Sequence, residues 1–121
     1  MSYQFYKILH LLGIMLLFFG LGGLSVAAYA RVQLTKSARI MAFATHGLGL
    51  LFVFIAGFGM AAKLGIMANL PSWMVAKLVI WVLLAVAISV VKRKGSIGWP
   101  IAVLLIGLGT TAAVIAINKP F

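Results

Sequence analysis

The sequence predicts an all-α protein, an up-down four-helix bundle that spans a membrane. Three observations predict it. Among 121 residues there is no Asp or Glu, while ten are Lys or Arg and 65% are hydrophobic, with a mean hydropathy of +1.25. Soluble domains are about half apolar and one-quarter charged. Cutting the chain at its charges leaves four apolar spans, 8–30, 40–62, 73–91 and 99–117, each close to the ~20 residues that cross a ~30 Å hydrocarbon core. The connections between them are short, which makes consecutive helices antiparallel neighbours. The length gives a single membrane domain, residues 1–121.

The first span is too long for the apolar segment of a secretory signal, and it ends in Arg31 without a small-residue cleavage pattern. It reads as a retained membrane helix. On it, His10, Gly13, Leu17, Gly20, Leu24, Ala27 and Arg31 fall on one face by steps of three and four. The second span repeats this pattern with Arg39, Ala42, His46, Gly49, Val53, Ala56 and Met60. Small residues let membrane helices approach closely, so these two faces are expected to pack tightly. Pro71-Ser72 before Trp73 starts the third helix, and Gly95 after Lys92-Arg93-Lys94 ends it. Ser96 and then Trp99-Pro100 open the fourth. Tyr3, Phe5, Tyr6, Tyr29, Trp73 and Trp99 fall near the expected interfaces, where amphipathic rings belong.

The first and third connections carry Arg31, Lys36, Arg39, Lys92, Arg93 and Lys94, against Lys7, Lys63 and Lys119 on the opposite side. The positive-inside rule then places those connections in the cytoplasm. The expected setting is a bacterial inner membrane with both termini on the outer, periplasmic side. The net charge of +10 belongs to helix ends facing lipid headgroups rather than to nucleic acid. With no cysteine, disulfides, thiolate metal sites and thiol catalysis are excluded. With no acid to orient a histidine base, a hydrolytic triad cannot be assembled within the chain.

The chemistry inside the membrane reduces to His10, His46, Lys77, a few hydroxyls and methionine sulfur. Ionisable residues in spans are costly and mark functional sites by default. The bland alternatives are a snorkelling His10, a His46 bonded to a neighbouring helix and a Lys77 reaching the outer surface along its own stem. A single haem held by both histidines is excluded by height. Counted from the span middles, they are offset by about 20 Å at 1.5 Å per residue. On the outer level, His10 is expected to share a layer with Met60, Trp73, Met74, Lys77 and Thr111. A His/Met pair with a lysine suits haem b, the lysine meeting a propionate. It also suits Cu(I), for which soft sulfur is favoured, and this keeps copper transport as a third functional class. On the inner level, His46 is expected near Ser25, Tyr29, Arg39 and Ser89, a set that suits a polar headgroup or a closed hydrogen-bond network.

Phe5-Tyr6-Lys7-Ile8-Leu9-His10 followed by a glycine-rich span resembles the opening of the HemJ-type, CopD-type and SirB-type four-helix membrane proteins. Arg39 through His46-Gly47, with Gly57 later, looks like the SirB type, and so does Pro71-Ser72-Trp73-Met74-Val75-Ala76-Lys77-Leu78. The tail from Ala116 to Phe121 is similar to the SirB ending. The resemblance implies a four-helix bundle and, for HemJ-type members, haem b binding with oxidation of protoporphyrinogen. It makes His10 the candidate haem ligand and Lys77 the matching motif lysine. The leading expectation is a small haem b-binding membrane protein with a redox or haem-handling role. The rival is a non-enzymatic accessory or scaffold subunit of a larger membrane complex, whose other subunits provide the missing anions. Homo-oligomerisation through small-residue faces also remains open.

Overall fold

The computed structural model describes residues 2–118 as helices α1 (Tyr3–Ala30), α2 (Lys36–Leu64), α3 (Ser72–Lys94) and α4 (Trp99–Asn118), with a single 3-10 turn at Gly95–Ile97. All four helices are long and apolar enough to cross a membrane. Lys119, and the end of the resembling tail through Phe121, lie outside the described residues.

The helices outrun the apolar spans because backbone hydrogen bonding continues through the polar ends. α1 begins five residues before Ile8, where the Ser2 hydroxyl accepts from the Phe5 N–H at 3.1 Å. α2 begins four residues before Ile40, where Thr35 accepts from the Ala38 N–H at 3.1 Å. Each side chain satisfies one of the N–H groups that a helix start leaves open. α1 stops at Arg31 in the left-handed region (φ 58°) and α2 at Gly65 (φ 74°), both with the terminal N–H turned back onto the preceding turn.

The end of α3 differs from expectation. Gly95 keeps a right-handed conformation and the chain reverses only at Gly98 (φ 90°). Gly95 is small for a packing reason instead: a Cβ there would lie 2.6 Å from that of Ala28 on α1.

α1 and α2 form the tightest pair. A Cβ on Gly13 would fall 2.9 Å from the Val53 nitrogen, and one on Gly20 would fall 2.8 Å from Thr45 Oγ1. A Cβ on Gly49 would fall 2.7 Å from Leu17 Cα. The two faces read from the sequence therefore meet backbone to backbone, the geometry that small residues permit. Leu17, Leu21 and Leu24 carry the α1 side of the core, joined by Leu84, Ala87 and Val91 of α3.

The cross-section is a diamond rather than a square. α1 and α3 are parallel and touch across the short diagonal, while no Cα of α2 comes within 8 Å of one in α4 among the described residues. α4 is the most exposed helix, with only Leu105 and Ile115 buried.

Candidate functional site

The glycine contacts between α1 and α2 also set the height of each histidine. Tyr6 lies against Gly59, His10 against Val53 and Gly57, Gly13 against Gly49 and Val53, and Gly20 against Ala42 and His46. With Gly20 and Leu17 both beside His46, the two histidines sit about seven to ten residues apart along α1, or roughly 10–15 Å. This is less than the expected ~20 Å. The five residues that α1 gains before Ile8 shift its middle toward its N-terminus, an extension that cutting at the charges could not see. The two imidazoles remain on separate levels.

His10 is half-buried, and its Nδ1 lies 3.3 Å from the Val53 carbonyl oxygen. A carbonyl only accepts, so Nδ1 carries the proton and Nε2 keeps its lone pair. Gly57 lies beside the ring, where even a Cβ would meet its edge only at 3.9 Å. The register of α3 follows from Ala85, which shares the surroundings of His46 with Leu17. Eight residues earlier on each parallel helix, Lys77 comes level with Leu9 and His10. The Lys77 charge accordingly acts on the His10 ring. The structure thus brings together His10, Lys77 and the Val53–Gly57 turn of α2 at one height.

Met60 and Met74, also expected in this layer, fall at another height. Met60 follows Gly59, which lies against Tyr6, and buried Met74 precedes Lys77 by three residues, so both fall about one turn nearer the N-terminal end of α1 than His10. Thr111 is exposed, and its hydroxyl donates to Gly107 of its own helix at 2.7 Å.

His46 is only 3% exposed, at the junction of α1, α2 and α3. The backbones of Leu17 and Ala85 approach its ring, yet neither nitrogen completes a hydrogen bond among the described residues. The approach is close without the required geometry. Its expected companions do not gather around it. Tyr29 is exposed and lies over Gly98, Arg39 donates to the Leu34 carbonyl at 3.3 Å, and Ser89 is exposed. The Ser25 hydroxyl is buried without a hydrogen bond among the described residues, five residues past Gly20 and eight past Leu17, the α1 neighbours of His46.

Sequence reasoning missed Trp81. Its Nε1–H donates to the Leu50 carbonyl at 3.0 Å, and its ring packs on Phe54 with centroids 5.2 Å apart. The available signal was a tryptophan in mid-span, far from either interface, whose N–H must find a partner when buried. No family model matches this chain, and no curated protein or solved structure matches it either.

Proposed function

We propose that this chain is a multi-pass membrane protein that binds haem b near its outer face, in a bacterial inner membrane with both termini periplasmic. His10 Nε2 would hold the iron and Lys77 would meet a propionate. The observation that carries this reading is the bond from His10 Nδ1 to the Val53 carbonyl. Holding one ring nitrogen on a backbone carbonyl fixes the tautomer and leaves the lone pair of the other for a metal, as ligating histidines require. The donor set fits the group: an imidazole, a cation for a carboxylate, thioether sulfur one turn away, and no thiol or acidic side chain in competition. When bound, the haem supplies one-electron chemistry; the chain holds the imidazole, offsets the propionate charge and surrounds both with apolar helices. The corresponding role is redox or haem handling.

The test is the absorption spectrum of protein gently solubilised after haem-replete expression. A Soret band with b-type features is the expected result, and its absence from purified, folded protein removes this reading.

One observation favours a second reading, an accessory subunit of a larger membrane complex. α4 packs on one side only, leaving Val103, Ile106 and Ile117 more than 60% exposed, and it is remote from α2. Such a helix has an apolar face to offer a neighbouring subunit. Recovery in mild detergent as a complex with other chains supports this role, and recovery only as a free monomer removes it.

A further inference from the structure

We propose that the groove between α3 and α4 at the basic end of the bundle is a binding site for one anionic phospholipid. An acyl chain lies in the groove and its phosphate sits beneath Lys92, Arg93 and Lys94. The groove has a volume of about 210 Å³ and an almost wholly apolar wall that includes Leu83, Val90, Val91, Ile101, Leu104 and Leu108. That is below the ~300 Å³ at which pockets for compact ligands begin, and it suits a slender chain rather than a porphyrin.

Its length points to the same occupant. From Leu83 to Val91 is eight residues of helix, about 12 Å, close to the ~15 Å of one leaflet of a ~30 Å core. Beyond Leu83 and Leu108, Ile80 and Ile115 join the buried core and close the space between the helices. A transmembrane helix of a partner would need a groove running through both leaflets, whereas a lipid chain needs only one. At the rim, the groove ends where the exposed run Lys92-Arg93-Lys94 begins. Trp99, 73% exposed, stands at the same height as an interfacial anchor. The sequence supplies no Asp or Glu to answer these three charges, and a lipid phosphate at headgroup depth does so.

A second apolar groove at this end, between α1 and α2, lacks such a run. Its wall includes Leu34 and Ala38, and the nearby Arg39 guanidinium is turned onto the Leu34 carbonyl. This makes Lys36 and Arg39 the control.

The experiment is native mass spectrometry of the full chain released from detergent, titrated with phosphatidylglycerol or with phosphatidylcholine of the same acyl composition. Each cation near the surface contributes about 1 kcal/mol toward anionic lipid, so the first phosphatidylglycerol is expected to bind at least about tenfold more tightly. The Lys92→Gln/Arg93→Gln/Lys94→Gln variant brings the two lipids to near parity, and Lys36→Gln/Arg39→Gln keeps the preference. Ala87→Phe, which fills the groove, loses the first binding event for both lipids. Leu104→Trp serves the same purpose if Ala87→Phe fails to fold by circular dichroism. Equal affinities in the wild type, an unchanged triple variant, a preference lost in the control, or full binding in a folded, filled variant would each overturn the site. So would displacement of the lipid by inorganic phosphate, or by a co-purifying transmembrane chain seated in the groove.

Discussion

The Trp81 indole donates to the Leu50 carbonyl at 3.0 Å, and this bond lies between the height of His10 and that of His46. An aromatic group therefore stands at a height between those of the two imidazoles. Phe54 packs on Trp81, and Phe58 packs on Phe54 with centroids 4.9 Å apart. The same bond ties α3 to α2, two helices that otherwise approach each other sparingly.

Replacing Trp81 by Phe keeps the ring against Phe54 and deletes the donor. Hydrogen bonds between membrane helices average about 0.6 kcal/mol, so a loss of roughly 0.5–1.5 kcal/mol is expected in equilibrium unfolding from mixed micelles. No measurable loss would mean that the indole N–H finds an equally good partner elsewhere.

His10→Ala is expected to abolish haem retention while membrane insertion stays intact, because the first span remains apolar. Absorption spectra and membrane fractionation of the variant check the two halves separately. Identical spectra for variant and wild type would show that another residue holds the iron.

Lys77→Met removes the charge expected to meet a propionate. Haem affinity should fall, while insertion of α3 improves by at most roughly 2.5–3.5 kcal/mol, less whatever snorkelling already recovers. Haem titration and a translocon insertion assay read these opposite effects. Unchanged affinity would remove Lys77 from the site.

Gly49→Ala drives a methyl into the backbone of α1, against Leu17 and Gly13. Backbone cannot yield as a side-chain tip can, so a cost of about 1–3 kcal/mol is expected. Gly47→Ala is the contrasting case, with nothing within 4 Å of the added carbon, and should be neutral or slightly stabilising through helix propensity. Equal effects at both positions would contradict the α1–α2 contact.

His46→Leu replaces two ring nitrogens that complete no hydrogen bond among the described residues. A buried polar group left unsatisfied costs about 1–3 kcal/mol, so this variant should match or exceed the stability of wild type. A loss above about 2 kcal/mol in the same unfolding assay would instead reveal a ligand on the ring.

Four helices, their apolar stretches and the packing faces of α1 and α2 were legible in the sequence, while the helices themselves run up to six residues longer than those stretches. Hydrocarbon thickness sets the length of an apolar span, and three-four spacing of glycines sets which side of a helix can approach another. The sequence also isolated His10, His46 and Lys77, because in a chain without acids so few ionisable groups lie inside the membrane. It could not fix heights, since a helix continues past its apolar stretch until a cap stops it, as Ser2 and Thr35 do here. Nor could it reveal which residues share a level. The backbone contacts of Gly13, Gly20 and Gly49 decided that for α1 and α2, and the approach of Ala85 to His46 decided it for α3, which brings Lys77 level with His10 and leaves Met74 a turn away. The diamond cross-section, which turns most of α4 outward and opens the groove above Leu83, likewise follows from how side chains fill the space between helices. That filling is a property of three dimensions, and no spacing along the chain encodes it by itself.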